Sequence, residues 1–141
     1  MSTNPPTLKS KFPSLLHFTY NLQHMAEELL LDQAGVGLSQ ARIMSGLSTA
    51  VARSQSHLAS ELNQTEANIS RQLKVMKRHG LVNISKNKKD GRQRDVTLTS
   101  KGQNTYTKAE KVLKTQQSKF LRVLNKGEAD ILEYAAQKLS R

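Results

Sequence analysis

Basic side chains are concentrated in residues 65–94. This stretch contains nine lysine and arginine residues against two acidic ones, Glu66 and Asp90, while the whole chain of 141 residues carries a formal net charge of +11. Packing gives a small folded protein no reason to carry such an imbalance, so the charge indicates a polyanionic partner. Nucleic acid is the first candidate. A membrane surface is less well supported, because no basic amphipathic segment also carries tryptophan or phenylalanine anchors.

The first half of this stretch has the pattern of a helix with one buried face and one polar face. Its apolar residues recur at steps of three and four, and they are Ile69, Leu73 and Met76. On the polar face, arginine can bond guanine through two hydrogen bonds, asparagine can bond adenine, and lysine can pair with phosphate. The residues of this helix that we expect to contact DNA are Thr65, which can also cap it, Asn68, Ser70, Arg71 and Lys74.

A shorter helix is predicted just upstream. Ser54 can cap it, and Leu58 and Leu62 would face inward. Asn63 can adopt the left-handed conformation of a tight turn, and the small Ala59 would let the two helices approach closely. Two short helices joined by a tight turn, the second of them basic, form a helix-turn-helix. Alone this signal is only moderately specific, because any small helical bundle contains two helices and a turn.

After the second helix, the spacing of apolar residues changes to the alternation of β-strands, around residues 82–84 and 96–98. A basic eight-residue loop, Asn87 to Arg94, joins the two strands and contains the hairpin-turn pair Asp90-Gly91. A basic hairpin directly after a recognition helix is a wing, whose tip can follow the DNA backbone or insert arginine into a narrow minor groove. The loop residues that we expect to contact DNA are Lys88, Lys89, Asp90, Arg92 and Arg94.

Further helices are predicted on both sides of this unit. A polar, proline-punctuated segment, residues 1–13, is expected to be a flexible arm before a helix at residues 14–32. Ser39 is expected to cap a second helix, Thr99 a long helix, and residues 128–139 to form a short one. The alternatives for the apolar stripes of these helices are an ordinary monomer core and a homodimer interface. We expect the homodimer, because apolar patches of this length are uncommon on monomers.

The expected dimer determines the geometry of DNA binding. Its twofold axis would hold two recognition helices about one turn of DNA apart, so the predicted operator is an inverted repeat. A polar residue at Gln116 or Gln117 could specify the register of the helices, or could simply face solvent. The predicted interface residues are Leu15, Phe18, Leu22, Leu113, Phe120, Leu124, Ile131, Ala135 and Leu139.

The segment DGRQRDVTLTSKG, residues 90–102, resembles the wing signature D-x-R-x(5)-L-T-x-x-G of the multiple-antibiotic-resistance regulator (MarR) family. The matching positions are Asp90, Arg92, Leu98, Thr99 and Gly102. Upstream, SQSHLASELN and ISRQLKVMKRHGLV resemble the two helix-turn-helix segments of the family. The resemblance covers residues 38–102 without an evident gap and extends in helix layout over residues 15–139.

The resemblance implies a fold that is mainly α with a small β-hairpin wing (α+β), a dimeric winged helix-turn-helix. Residues 14–141 would form one domain, with residues 14–37 and 103–141 as N- and C-terminal dimerisation helices. Residues 38–102 would form the DNA-binding lobe.

The resemblance also implies roles for single residues. Asn68, Ser70 and Arg71 would meet the major groove, Arg92 would be the minor-groove arginine, and Asp90 the acid that pairs with it. Two positions depart from the family pattern. Arg53 stands where an apolar strand residue is usual, and Ala41 where a larger residue is usual. We therefore expect the first strand of the wing sheet to be weak or absent.

Several classes of function find no support in the sequence. Without cysteine, disulfide frameworks, cysteine zinc sites and thiol redox sensing are excluded. Catalysis is not expected, since the chain has no Gly-rich phosphate loop, nucleophile elbow or convincing carboxylate pair, and no cofactor is expected. His17 and His24 are interpreted as ordinary surface or interface histidines rather than metal ligands. Without a signal peptide or membrane span, a cytoplasmic location is expected.

These patterns together predict a dimeric, sequence-specific transcription regulator that binds double-stranded DNA, with repression the usual mode in families of this kind. Phe18, Tyr20 and Tyr106 could line a pocket for a small aromatic effector, as the resemblance implies, although ordinary packing is the simpler interpretation. Such a ligand would release DNA only through its different affinities for two spacings of the recognition helices. The alternative function is a nucleoid-type or RNA-binding winged-helix protein without sequence readout.

Overall fold

The computed structural model describes residues 13–48 and 51–140. Residues 1–12 of the predicted N-terminal arm lie outside the described residues. Within the described part, six α-helices and three short β-strands follow one another in the order α1 Ser14–Gln33, α2 Leu38–Leu47, β1 Arg53–Ser54, α3 Gln55–Glu61, α4 Glu66–Arg78, β2 Val82–Lys86, β3 Arg94–Leu98, α5 Ser100–Leu121 and α6 Lys126–Leu139. The predicted fold class, mainly α with a small sheet, is confirmed.

Most helix starts are determined by a polar side chain within the same turn. The hydroxyls of Ser54, Thr65 and Thr99 each accept a hydrogen bond from the backbone N–H three residues later, as predicted. Asn125 caps α6 in a reciprocal capping box with Glu128, so this helix begins two residues earlier than predicted. These caps set the starts of α3, α4, α5 and α6 with local interactions alone.

The predicted cap of α2 is wrong. The helix begins at Leu38, with Gly37 rather than Ser39 as its N-cap residue. The carboxylate of Glu27, on α1, accepts a hydrogen bond from the backbone N–H of Leu38. This acceptor comes from 11 residues upstream, so a search for a local capping residue does not find it.

The core of the lobe is formed by α2, α3, α4 and the sheet. Ile69, Leu73 and Met76 of α4 are fully buried, as the helical period predicts. Leu58 and Ala59 of α3 are buried against them. The turn between these helices contains Asn63 with a φ of 54°, which confirms its predicted left-handed conformation. The helix-turn-helix is therefore fixed by apolar packing beneath and by turn geometry at its corner.

The three strands form one antiparallel sheet in the order β1-β3-β2. In the wing hairpin, Ile84 lies opposite Val96, and Lys86 lies opposite Arg94. Arg94 therefore belongs to β3, and the connecting loop is shorter than predicted, residues 87–93. The first strand, expected to be weak or absent, does form: it has two residues, and Arg53 pairs with Val96.

The terminal helices differ in how much of their apolar surface the chain buries by itself. Helix α1 packs on α5, where the rings of Phe18 and Phe120 lie 5.2 Å apart between centroids. Leu113, predicted for the dimer interface, is partly buried and packs against the core of its own chain. Helix α6 has no buried residue. None of the helices in the described residues combines the length and apolar character needed to cross a bilayer.

Candidate nucleic-acid interface

The predicted DNA-contacting residues of α4 lie at its N-cap and within its first nine residues, next to the turn. Arg71 and Lys74 are exposed, whereas Asn68 and Ser70 are half-buried. The hydroxyl of Thr65 accepts from the backbone N–H of Asn68 at 3.1 Å, so it is engaged as the helix cap. Of the predicted residues, Arg71 and Lys74 are therefore the freest to reach a ligand.

Asn68 is held by its neighbour. Its side-chain Nδ2 donates a hydrogen bond to Oε1 of Gln64 at 2.8 Å. This contact restricts the amide and leaves its Oδ1 and second N–H available. An asparagine oriented in advance can bond an adenine edge with less loss of side-chain entropy than a free one.

The wing tip is organised by a residue that the sequence analysis missed, Asn87. Its Oδ1 accepts from the backbone N–H groups of Lys89, at 2.8 Å, and of Asp90, at 3.0 Å. Its Nδ2 donates to both carboxylate oxygens of Asp95 across the hairpin, at 3.2 and 3.1 Å. Asparagine commonly bonds the backbone two or three residues ahead in turns, and that preference was the available sequence signal. The hydrogen bonds of Asn87 therefore fix the conformation of the first half of the loop and connect it to Asp95 on β3.

Asp90 orders the second half of the loop. Its Oδ1 accepts from the backbone N–H of Arg92 at 3.0 Å, and its carbonyl accepts from the N–H of Gln93 at 3.0 Å. The expected pairing with Arg92 is therefore made through the backbone rather than the guanidinium. With the backbone fixed in this way, the four predicted basic residues of the wing are all exposed: Lys88, Lys89, Arg92 and Arg94.

A charged cluster lies where β1 meets α3. Nη1 of Arg53 lies 2.9 Å from Nε2 of His57 and 3.9 Å from Oε2 of Glu61. Nε2 of His57 also lies 3.6 Å from that carboxylate. These contacts hold the end of the Arg53 guanidinium beside α3, while its Nε is buried without a hydrogen-bond partner within the described residues.

The C-terminal end of α4 is joined to the start of α5 by hydrogen bonds. The Thr99 hydroxyl donates to the carbonyl of Gly80 at 2.5 Å, and the Thr99 backbone N–H donates to the carbonyl of Leu81 at 3.0 Å. Nζ of Lys101 donates to the carbonyl of His79 at 2.8 Å. Three hydrogen bonds therefore tie the start of α5 to the segment that follows α4.

Two cavities open beside α5. One, of about 580 Å³, lies between α1 and α5, and the other, of about 510 Å³, lies between α1, α2 and α5. Gln116 borders both, and its Nε2 is buried with no hydrogen-bond partner within the described residues. Arg42 lines the second cavity. None of the three aromatic residues suggested for an effector pocket, Phe18, Tyr20 and Tyr106, lines either of these two cavities.

One exposed ion pair lies on α5. The pKa of Glu110 lies below its usual value because Lys114 donates a hydrogen bond to its carboxylate and places a positive charge beside it. The same carboxylate raises the pKa of Lys114. Both groups are exposed to solvent, so the pair adds little stability. The positive charge of Lys114 is therefore already paired with the carboxylate of Glu110.

The chain matches the family model of the winged helix DNA-binding domain over residues 40–116, and it belongs to this family. No curated protein sequence matches it at a significant level.

Solved structures share the fold over most of the chain. The transcriptional repressor CouR, bound to a 23-mer DNA duplex, has a TM-score of 0.82 and 20% identity, covering 90% of this chain and 89% of that chain. A MarR family transcription regulator has a TM-score of 0.80 and 23% identity, with coverages of 89% and 83%. A variant of MarR from E. coli in complex with operator DNA has a TM-score of 0.75 and 19% identity, with coverages of 89% and 92%. The fold of the chain is therefore that of MarR-type regulators.

Proposed function

We propose that the chain is a dimeric, sequence-specific DNA-binding transcription regulator that acts as a repressor. The observation that carries this proposal is the placement of exposed Arg71 and Lys74 on α4 beside a braced basic wing in a single lobe. Similar folds are seen bound to DNA in CouR and in MarR from E. coli. A transcription regulator must be in the compartment that contains the DNA, so we also propose a cytoplasmic location.

Helix α4 is the part of the lobe that reads sequence. Its N-terminal half enters the major groove, where Asn68, Ser70 and Arg71 reach base edges. Lys74, one turn further along the helix, contacts a phosphate. Thr65 contacts the DNA backbone at the start of the helix. Base contacts by α4 confer specificity, while the phosphate contacts fix its register.

The wing supplies contacts beside the major groove. Arg92 and Arg94 enter the adjacent minor groove, whose negative potential is greatest where it is narrow. Lys88 and Lys89 contact phosphates. Asp90 acts through the backbone of Arg92, since its carboxylate already accepts from that N–H group. A wing braced in advance loses less conformational entropy when it binds.

Dimerisation completes the operator-binding unit. Residues 14–37 and 103–141 form the interface, and residues 38–102 form the lobe within a single domain, residues 14–141. Leu15, Ile131 and Leu139 are more than three-fifths exposed in the single chain, at 62%, 69% and 74%, which supports burial against a second copy. Half-buried residues continue this surface: Phe18, Leu22, Phe120, Leu124 and Ala135. A twofold axis through it gives the inverted-repeat operator.

A small aromatic effector that releases DNA binds in the cavity between α1, α2 and α5. Arg42 offers a cation to an acidic substituent there, and Leu22 and Phe120 offer apolar contact. The site lies where α1 meets the lobe, next to the bond between Glu27 and the start of α2. A ligand that favours one arrangement of this junction shifts the spacing of the recognition helices.

Selection of bound sequences from a random DNA pool at near-physiological salt tests the proposal. An enriched inverted repeat with half-sites about 10 base pairs apart, bound by a dimer, is the expected result. Absence of enrichment, with an affinity that falls steeply with salt on every DNA, would instead indicate a nucleoid-type or RNA-binding protein.

Arg71→Ala separates base reading from phosphate contact. We expect the variant to lose affinity for the selected operator while keeping its affinity for unrelated DNA. Arg122→Ala is the matched control, because it removes the same charge from an exposed position outside the lobe. Equal weakening of the Arg71 variant on all DNA would contradict base reading by this side chain.

A further inference from the structure

The first turn of α4 carries an exposed apolar residue in addition to the cations that follow it. Ala67 is the second residue of the helix, and every other exposed residue of α4 is charged. Arg71 and Lys74 follow Ala67 by four and seven residues, so the three side chains lie on one face of the helix. Ala67 is therefore a small apolar group beside the cations of the recognition helix.

This face of α4 points away from the core of the lobe. Ile69, Leu73 and Met76 are fully buried on the other side of the helix. With about 3.6 residues per turn, Ala67 lies about 150° around the helix axis from the mean direction of these three residues. Glu66, its neighbour in the first turn, lies only about 50° from that direction. When α4 enters the major groove, Ala67 therefore points more directly at the base edges than Glu66 does.

The position of Ala67 is fixed before DNA binds. The hydroxyl of Thr65 caps the helix by accepting from the backbone N–H of Asn68 at 3.1 Å, and Asn63 turns the chain with a φ of 54°. The side chain of alanine has no rotamers, so it loses no conformational entropy in a contact. Its small size also lets the start of the helix lie close to the bases, where the N-terminal residues of a recognition helix make their contacts.

A methyl group has one specific counterpart in the major groove. Of the four bases, only thymine presents a methyl group there, on C5, and alanine is among the residues that contact it. The other groups that identify the bases in this groove are hydrogen-bond donors and acceptors, which an alanine side chain cannot pair with. The chemistry of Ala67 therefore favours thymine.

The spacing of residues on α4 locates this thymine relative to a second base. Arg71 lies about 6 Å beyond Ala67 along the helix axis. Successive base pairs of DNA are about 3.4 Å apart. Base contacts by the two residues therefore fall within about two base pairs of each other.

We propose that the methyl group of Ala67 contacts the C5 methyl group of a thymine in each operator half-site, within about two base pairs of the guanine that Arg71 contacts. The inference rests on the proposed function and assigns one base of the operator. It also gives a role in sequence recognition to a side chain that makes no hydrogen bond.

Deoxyuridine in place of thymidine tests this contact without changing the protein, because the two nucleosides differ only in the C5 methyl group. The operator recovered by selection is substituted at one thymine position at a time, and the Kd of the wild-type chain is measured for each duplex. At one position the Kd should rise about fourfold for each half-site substituted, the effect of removing one buried methyl group. Substitution outside the half-sites is the control and should leave the Kd unchanged.

Ala67→Gly identifies the side chain that makes the contact. This variant lacks the methyl group, so its Kd should be the same for thymidine and deoxyuridine at the sensitive position. Each comparison is made within one protein, so a general weakening caused by glycine in the helix cancels. Ala136→Gly is the matched control, because it changes an exposed alanine in a helix outside the lobe and should keep the wild-type ratio of the two Kd values.

5-Methylcytosine provides a second comparison at the sensitive position. Cytosine has no methyl group on C5, and 5-methylcytosine returns the methyl group to the same place in the groove. The wild-type chain should bind the methylated duplex more tightly than the unmethylated one, whereas Ala67→Gly should not distinguish them. Equal binding of both duplexes by the wild-type chain would contradict the contact.

Two further results would overturn the proposal. If no thymine of the half-site responds to the loss of its methyl group, Ala67 only provides clearance for the helix. If a thymine responds and keeps its response in Ala67→Gly, another side chain contacts that methyl group. In both cases an enriched operator bound by the dimer would leave the proposed function intact. Absence of any enriched operator would instead refute the proposed function, and the inference with it.

Discussion

Gly102, in the first turn of α5, lies directly against the backbone carbonyl of Leu81, at the entry to β2. A Cβ atom at position 102 would overlap with that carbonyl oxygen and would also crowd the side chain of Leu98. The obstacle is backbone, which cannot rotate away as a long side chain can. Together with the two bonds from Thr99 to Gly80 and Leu81, this close approach holds α5 against the end of the recognition helix.

Gly102→Ala should therefore destabilise the protein despite the better helix propensity of alanine. Forcing a methyl group into a packed position costs about 1 to 3 kcal/mol, which outweighs a gain of about 1 kcal/mol from propensity. Denaturant unfolding measures the difference.

Gly127→Ala is the matched control for that change. Its Cβ would meet only Oδ1 of Asn125, at 3.4 Å, an ordinary contact. Stability should be unchanged or rise by up to about 1 kcal/mol. If both glycine variants behaved alike, the close packing of α5 on Leu81 would not constrain the fold.

The same junction shows how far the sequence could predict the structure. Thr99 and Gly102 were recognised as part of a family signature, and Thr99 was also expected to cap α5. The caps Ser54 and Thr65 and the buried face of α4 were predictable too, because each depends on residues within one or two turns. Such interactions leave a pattern in the sequence itself.

The contacts that were missed depend on tertiary geometry. Glu27 caps a helix 11 residues away, and Asn87 reaches Asp95 only once the hairpin pairs the two strands. The strand at Arg53 was expected to be weak or absent because Arg53 and Ala41 depart from the family pattern. Its partners His57 and Glu61 become visible only when β1 turns into α3. The secondary-structure propensity of a residue does not include hydrogen bonds or ion pairs that its side chain makes with another helix or strand.

Replacement of Asn87 by alanine tests whether the wing must be braced. Asn87→Ala removes the acceptor of two backbone N–H groups and the donors to Asp95. Operator affinity should fall by about 1 kcal/mol or more, the typical effect of losing such hydrogen bonds, with little change in global stability. Hydrogen exchange at Lys89 and Asp90 should accelerate. Unchanged exchange at both amides would show that the loop is held by other means.

Arg92 tests the proposed minor-groove contact. Arg92→Ala should weaken operator binding by about 1 to 3 kcal/mol, measured by titration at fixed salt. Arg92→Lys keeps the charge but not the planar guanidinium. If Arg92 lies in the minor groove, the lysine variant should therefore recover only part of the operator affinity that the alanine variant loses. Full recovery by lysine would mean that the residue contacts phosphate alone, and an unchanged affinity of the alanine variant would remove it from the interface.

Ile131 tests the link between dimerisation and operator recognition more cleanly than Leu113, which packs against its own core. Ile131 is 69% exposed in the single chain, so Ile131→Glu should leave the lobe folded. The charge would be buried without a partner in the dimer, at a cost of several kcal/mol, and the protein should become monomeric by mass. Operator binding should then fall to the level of one half-site. Gln137→Glu, on the opposite side of α6, should change neither property. A monomer that still bound the full operator tightly would show that each lobe recognises DNA independently.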